Sequence, residues 1–194
     1  YLVSKQRAWI LNSWQVEIKR LPKVHEKIEV STWATGFHGI LGPRDFCVKT
    51  MDGEVLAYAH SLWVYLDTES NRPTKPSDEE IAKYTLGDPL PMENVSRKIK
   101  EPEGTIWVDI FPVHKYHIDT NQHVNNSKYV ELACEALPDD FVVKKLRVEY
   151  KKSAVLGNTM ALYREVEDTR VVAQLCDEDR NAYAIVEFIG ETKR

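Results

Sequence analysis

Two halves of the sequence carry similar short patterns in the same order. Residues 16–19 (VEIK) match residues 148–151 (VEYK), and residues 57–59 (AYA) match residues 182–184 (AYA). The shared order is more telling than any one match, because short matches arise by chance. The patterns therefore predict two units of one topology joined in tandem. For the first half, an open sheet without a repeat is the alternative.

Alternation of apolar and polar residues predicts that both units consist mainly of strands. Asp52-Gly53 predicts a hairpin turn, because glycine readily adopts a positive φ. A helix is predicted after Asn126, since apolar residues recur at helical spacing up to Pro138. The fold class is therefore α+β. The predicted strands are residues 9–19, 27–33, 44–50, 55–66, 105–113, 142–151, 159–166, 171–176 and 182–189.

The domain organisation follows from the repeat and from the distribution of proline. The second half has a strand and a helix before its copy of the repeat, and the first half begins too close to its own copy to hold them. We therefore expect the first domain to lack its N-terminal strand and helix. Residues 67–103 are rich in proline, which is typical of a linker. The predicted division is a first domain at residues 1–70, a linker at 71–103 and a second domain at 104–194.

Composition excludes several classes of protein. The chain has 194 residues, and its 26 Lys and Arg against 30 Asp and Glu give a net charge of −4. This balance argues against a nucleic-acid-binding protein, which needs a basic surface. No apolar run reaches the roughly 18 residues of a membrane-spanning helix, and the first residues do not resemble a signal peptide. The three cysteines are widely spaced, so we expect buried, reduced thiols and a cytoplasmic location.

The densest polar cluster in the chain, residues 114–129 (HKYHIDTNQHVNNSKY), directly precedes and enters the predicted helix. Asp119 can act as a base or nucleophile, His123 can carry a proton, and Asn121 can orient water or a carbonyl group. Alternate residues of an extended segment share a face, so we expect these three side chains together. Amides at the helix N-terminus can bind a developing oxyanion.

Two other interpretations of this cluster remain open. It can be a plain polar loop in which Asn125 or Asn126 caps the helix. It can also be a metal site made by His114, His117 and His123. Against the metal site, the first two of these histidines point to opposite faces of an extended chain, and no His-Glu-x-x-His pattern is present. We therefore expect no metal and no cofactor.

Residues 119–129 (DTNQHVNNSKY) closely resemble the active-site motif of the acyl-ACP thioesterases, a hotdog-fold family. The resemblance spans nearly the whole chain. Other segments that are similar to this family are Ala8-Trp9 with residues 16–18, Thr32-Trp33, residues 44–46, residues 53–55 with the strand to Trp63, and residues 71–73. The resemblance implies two tandem hotdog domains, each an antiparallel β-sheet around a long central helix.

The resemblance also implies roles for single residues. Asp119, Asn121 and His123 correspond to the catalytic positions of the motif. Asn125 and Asn126 correspond to the turn and cap at the start of the helix, where the substrate is bound. Amides near Asn126 would polarise the thioester carbonyl group.

The chain departs from the plant members of this family at one important place. Those enzymes have a Glu-Cys pair where this chain has Ser153-Ala154, so a Cys–His scheme is not available. Asp119 is then the best carboxylate for the role of base. The weaker alternatives, which we expect to be surface charges, are Glu149, Glu131 and Glu135.

By resemblance, the expected function is hydrolysis of the thioester that joins a fatty acyl chain to acyl carrier protein, by a monomer or a homodimer. This carrier is acidic, so we expect a local basic surface. The candidates are Lys144, Lys145, Arg147, Lys151, Lys152, Arg97, Lys98 and Lys100. A thioesterase acting on acyl-CoA and a non-catalytic acyl-binding hotdog module are the alternatives.

Overall fold

The computed structural model describes residues 5–93, 95–103 and 106–193. The chain divides into two units, Tyr1–Val95 and Ser96–Arg194. The proline-rich segment 71–103 is thus shared between the units. Gly104 and Thr105, with which the second domain is predicted to begin, lie outside the described residues.

The first unit is built on an antiparallel sheet. Its elements are β1 (Arg7–Ile18), β2 (Ile28–Ala34), β3 (Leu41–Thr50), β4 (Val55–Asp67), β5 (Arg72–Pro73) and a short helix α1 (Asp78–Ile81). The strand order is β2-β3-β4-β1, and β5 pairs with the end of β4. The predicted Asp52-Gly53 turn joins β3 to β4, and Gly53 has a φ of 94°. Ser77 caps α1 by accepting the N–H of Glu80, and the first turn that follows it is acidic.

The second unit is also an antiparallel sheet, and it carries a helix. Its elements are β6 (Ile106–Pro112), α2 (Asn126–Ala133), β7 (Phe141–Tyr150), β8 (Thr159–Glu167), β9 (Arg170–Cys176) and β10 (Ala182–Thr192). The strand order is β7-β10-β9-β8-β6, and α2 packs against β9 and β10. An antiparallel sheet that packs around a helix is the predicted hotdog arrangement.

Helix α2 is shorter than the long helix implied by the family resemblance. It spans eight residues and continues as a 3-10 turn at Cys134–Ala136, after which Leu137 is extended. Pro138 explains the stop, since the residue before a proline is disfavoured in the helical region. Cys134 is exposed, so the prediction that all three thiols are buried is wrong for this residue.

The repeat in the sequence corresponds to a repeat in topology. The order β2-β3-β4-β1 in the first unit equals β8-β9-β10-β7 in the second. The amide of Lys19 donates to Leu56 O (2.8 Å), and the amide of Lys151 donates to Tyr183 O (2.9 Å). Leu56 is therefore the counterpart of Tyr183. The sequence match of residues 57–59 with residues 182–184 pairs Tyr58 with Tyr183 instead, and it is therefore wrong by two positions. The match of VEIK with VEYK agrees with the structure.

Part of the proline-rich segment crosses one face of the first sheet. Residues 87–93, the first crossing segment, bond to a row of side chains on neighbouring strands. The bonds are Trp33 Nε1–H to Asp88 O (2.8 Å), Leu90 N–H to Asp45 Oδ2 (2.7 Å) and Gln15 Nε2–H to Glu93 O (2.9 Å). A Cβ atom on Gly87 would lie 2.3 Å from the Trp33 ring, so this close approach requires glycine.

Residues 96–103, the second crossing segment, cross a face of the second sheet in a similar way. Ile99 packs on Val172 and Ile185, which helps to explain why β9 and β10 are buried on both faces. The bonds are Arg147 Nη2–H to Ser96 O (2.5 Å), Ile99 N–H to Glu149 Oε2 (2.9 Å) and Glu103 N–H to Glu165 Oε2 (2.7 Å). Arg147 and Gln15 each directly precede the repeated tetrad, so equivalent positions of the two units hold the two segments.

We expect Asp45→Ala to lower the free energy of unfolding of the chain by about 1–3 kcal/mol, because Leu90 N–H loses its acceptor. Asp45 is 1% exposed and also accepts from His60 Nδ1 (2.6 Å). Urea unfolding measures the change. The control is Glu29→Ala, which removes an exposed carboxylate whose hydrogen bond among the described residues is with Ser31, and it should change stability by less than about 0.5 kcal/mol. Equal effects of the two substitutions would contradict this role of Asp45.

Candidate functional site

The predicted motif forms a tight turn between the 3-10 turn at Lys115–His117 and helix α2. Ile118 and Val124 pair as an isolated antiparallel bridge, and Asp119 N–H donates to His123 O (2.8 Å). Gln122 has a φ of 64°, in the left-handed region. The expectation that residues 119–123 lie on one face of an extended segment is therefore wrong, because the chain reverses direction between the two bridge residues.

The carboxylate of Asp119 supports the turn that carries the other candidates. Its Oδ1 accepts the N–H groups of Asn121 (2.8 Å) and His123 (3.3 Å). Asp119 is half-buried, whereas Asn121 and His123 are exposed. No hydrogen bond joins these three side chains to one another within the described residues. The structure thus brings them together on one loop, with Oδ2 of Asp119 left for other contacts.

The start of helix α2 leaves one backbone donor available. Asn125 caps the helix: its side chain accepts the N–H (3.0 Å) and the hydroxyl (2.8 Å) of Ser127. The carbonyl oxygen of Asn126 accepts the hydroxyl of Tyr150 (3.0 Å). The amide of Asn126 makes no hydrogen bond with any other described residue. An acceptor oxygen placed at the helix N-terminus would meet this donor and the positive end of the helix dipole.

Ala154 lies at the centre of the contacts behind the loop, a role that the sequence did not reveal. Its carbonyl accepts Val124 N–H (2.8 Å), and its N–H donates to the hydroxyl of Tyr129 (2.8 Å). Burial raises the pKa of Tyr129 to about 12, so the hydroxyl stays protonated. Position 154 therefore adjoins the motif through backbone contacts, but the buried methyl group offers no nucleophile.

His117 is a structural residue of the loop. It is 5% exposed, and its Nδ1 accepts the N–H of His114 (3.1 Å), while its carbonyl accepts the N–H of Asn125 (2.8 Å). Burial, with help from the charges of His114 and Lys128, lowers the pKa of His117 below its usual value. Across residues 5–93, 95–103 and 106–193, no three His, Cys, Asp or Glu side chains form a group that could hold a metal ion.

The other carboxylates considered as a base are engaged elsewhere or lie outside the loop. Glu149 is buried rather than a surface charge, because it bonds to Ile99 in the second crossing segment. Its neighbour Tyr150 reaches α2, so Glu149 points to the opposite face of the sheet. Glu131 pairs with Lys128 (2.6 Å) on the exposed side of α2. Asp119 is therefore the carboxylate on the motif loop itself.

The lysines and arginines expected to form a basic surface are largely neutralised by carboxylates. The ion pairs are Lys144–Glu191 (3.2 Å), Arg147–Glu187 (2.5 Å), Lys151–Glu101 (3.5 Å), Lys152–Asp177 and Lys100–Glu103 (3.0 Å). Glu187 also accepts from Arg170 (2.7 Å) and is 4% exposed. The prediction of a basic docking surface at these positions is therefore not supported by their contacts.

Models of two domains match the two halves of the chain. The model described as the acyl-ACP thioesterase N-terminal domain matches residues 1–84, and that of the C-terminal domain matches residues 101–187. These matches agree with two antiparallel units, the second of which carries the motif loop before a helix. The chain belongs to the acyl-ACP thioesterase family, whose members have the hotdog fold.

Curated plant proteins are similar to the chain over most of its length. The palmitoyl-acyl carrier protein thioesterase of Gossypium hirsutum is 26% identical over 189 residues, which cover 87% of this chain and 43% of that protein. The oleoyl-acyl carrier protein thioesterase 2 of Arabidopsis thaliana is 26% identical over 160 residues, covering 74% and 43%. The chain spans about two fifths of the length of the curated relatives it matches.

Solved structures share the fold. An acyl-ACP thioesterase from Bacteroides thetaiotaomicron superposes with a TM-score of 0.88 at 22% identity, covering 98% of this chain and 79% of that one. The 12:0-ACP thioesterase from Umbellularia californica superposes with a TM-score of 0.85 at 21% identity, covering 99% and 78%. Within the part of the chain that the structure describes, no helix is long and apolar enough to cross a membrane.

We expect His117 to make the second unit less stable in mild acid. Because its pKa is lowered in the folded state, the unfolded chain binds the proton more readily, and stability falls as the pH drops below about 6.5. Unfolding free energies at about pH 7.5 and pH 5.5 measure this loss, which should be smaller in His117→Gln. The control, His25→Gln, changes an exposed histidine and should keep the full pH dependence. An unchanged pH dependence in His117→Gln would contradict the assignment.

Proposed function

We propose that the chain hydrolyses the thioester of fatty acyl-acyl carrier protein and releases a free fatty acid. Membership of the family supports this activity. The main structural support is the arrangement of the motif loop. Asp119, Asn121 and His123 share one turn, and directly after it the amide of Asn126 has no partner among the described residues.

In the proposed first step, the thioester carbonyl oxygen accepts a hydrogen bond from Asn126 N–H at the start of α2. Negative charge that develops on this oxygen is stabilised there by the helix dipole. Asp119, through Oδ2, takes a proton from a water molecule that attacks the carbonyl carbon. Asn121 holds the water in line. Direct attack by Asp119, which would give an anhydride, is the alternative route and leads to the same product after water adds.

In the proposed second step, the tetrahedral intermediate collapses. The bond between carbon and sulfur breaks, the carboxylic acid forms, and the leaving sulfur takes a proton from His123 to become a thiol. The proton that Asp119 took from water then passes to His123 through solvent, which restores both side chains. His123 is exposed, as expected of a side chain that exchanges protons with substrate and solvent. Asn125 contributes to substrate binding indirectly, since its side chain accepts the N–H of Ser127 and so caps the first turn of the helix.

We further propose that acyl carrier protein delivers the acyl chain, and that the chain acts in the cytoplasm as a monomer or a homodimer. The names of the plant relatives support a carrier-protein substrate, since those proteins are named for palmitoyl- and oleoyl-acyl carrier protein. The same names place the plant relatives in the chloroplast. Position 154 holds Ala instead of the Cys of the plant enzymes. This difference favours one other function, that of a non-catalytic acyl-binding module.

Thiol release from matched thioesters tests the function. The full chain is assayed with acyl carrier protein and CoA esters of several acyl lengths. Turnover of the carrier-protein esters supports the proposal. Turnover of CoA esters alone would indicate an acyl-CoA thioesterase, and binding without turnover of either would indicate an acyl-binding module.

Asp119→Asn separates catalysis from loop structure, because an amide oxygen still accepts the two N–H groups but cannot act as a base. We expect this variant and His123→Ala to lower kcat by about 10²-fold or more. The matched control is Asp179→Asn, an exposed carboxylate in the hairpin between β9 and β10, which should keep normal activity. Normal turnover in Asp119→Asn would show that the carboxylate only shapes the turn.

A further inference from the structure

Two loops that flank the start of helix α2 are bonded to each other. Val113 N–H, just before the 3-10 turn, donates to Asn158 O (2.9 Å). Asn158 also closes the second loop, since its side chain accepts Val155 N–H (2.9 Å) and its own N–H donates to Val155 O (3.1 Å). The two loops are therefore neighbours, and their exposed side chains are considered together as one surface. We name it the entrance surface and define it by Lys115, Tyr116, Val155 and Leu156.

The entrance surface exposes apolar side chains, and neighbouring rings hold that of Tyr116. Tyr116 is 71% exposed, Leu156 53% and Val155 40%. The Tyr116 ring meets the ring of His117 edge-on at 4.2 Å and stacks on His114 at 5.4 Å. An exposed aromatic ring held in place in advance loses little conformational entropy when a partner binds. Tyrosine in such a setting is typical of the energetic centre of a protein interface.

The entrance surface borders the candidate active site directly. Residue 117, which follows Tyr116, bonds through its carbonyl to Asn125 N–H (2.8 Å). Residue 154, which precedes Val155, bonds through its carbonyl to Val124 N–H (2.8 Å). Each loop is thus one residue away from a backbone contact with the start of α2. A macromolecule seated on this surface would hold a tethered acyl group close to the motif loop.

The charge of the first of these loops favours an acidic partner. Residues 113–118 and 150–158 contain three lysines and no aspartate or glutamate, although the whole chain has a net charge of −4. Lys151 and Lys152 are held by carboxylates of other segments. Lys115 is exposed and makes no ion pair with the described residues. A positive charge next to an apolar patch is complementary to an acidic protein surface.

We propose that the entrance surface is the docking site for the protein part of the acyl carrier, with Tyr116 as its apolar anchor and Lys115 as its charge contact. This inference rests on the proposed function, because it supplies the partner for the same site. The carrier then binds at the loops beside the helix start. It does not bind at the lysines and arginines of residues 144–152, most of which are paired with carboxylates.

The test compares one acyl chain on two carriers. The kcat/KM of the full chain is measured with the palmitoyl ester of acyl carrier protein and with palmitoyl-CoA, and the ratio of the two values is the readout. We expect Tyr116→Ser and Lys115→Glu each to lower this ratio about tenfold, mainly through KM. Leu156→Ser provides a second variant of the apolar part. Circular dichroism confirms that each variant is folded.

Matched controls come from another exposed loop that combines an apolar side chain with a lysine. Val24 is 86% exposed, and Lys27 is exposed nearby, between β1 and β2. Val24→Ser and Lys27→Glu should leave the ratio unchanged. A ratio that stays constant in Tyr116→Ser and Lys115→Glu, or one that falls equally in the controls, would overturn the docking proposal.

Direct binding separates this proposal from the proposed function. If the unsubstituted chain hydrolyses neither ester, the proposed function fails, and calorimetric titration with palmitoyl-acyl carrier protein then tests docking alone. Binding that weakens about tenfold in Lys115→Glu, but not in Lys27→Glu, would support the entrance surface. No binding, or equal binding by both variants, would overturn it.

Discussion

Two backbone hydrogen bonds determine where helix α2 begins, and the candidate site depends on them. Val124 N–H donates to Ala154 O, and Asn125 N–H donates to His117 O. Together they attach the last two residues before the helix to the loop after β7 and to the 3-10 turn. Because both donors are used in this way, Asn125 is fixed as the cap and the next amide, that of Asn126, is left at the helix end. The motif turn is then held between Ile118 and Val124.

In each unit, a buried carboxylate holds a crossing segment against the sheet. Asp45 in the first unit and Glu149 in the second each accept a backbone N–H from a crossing segment, and each is at least nine-tenths buried. A carboxylate in such a place is tolerated because its oxygens are satisfied by donors. The proline-rich segment therefore does more than connect two domains: its residues cover apolar sheet faces, as Ile99 does on β9 and β10.

The sequence predicted the cap and the start of helix α2, but not the geometry of the loop that precedes it. The motif, the capping role of Asn125 and the position of the helix start could be read from the spacing of polar and apolar residues. The turn could not, because the left-handed conformation of Gln122 and the use of Asp119 as a backbone acceptor depend on the bridge between Ile118 and Val124. The burial of Glu149 could not be predicted either, because its partner Ile99 is 50 residues away in the chain.

The sequence by itself determined the strands, the topological repeat and the family, because alternation and short-range motifs are local properties that survive at low identity. Only the tertiary structure decided which lysines are neutralised, which carboxylates are buried and which tyrosine hydroxyl supports the motif loop. These are contacts between residues far apart in the chain, and they form only when the strand register brings them together. A shift of the AYA match by two positions, invisible in the sequence, is enough to change which side chains meet across the sheet.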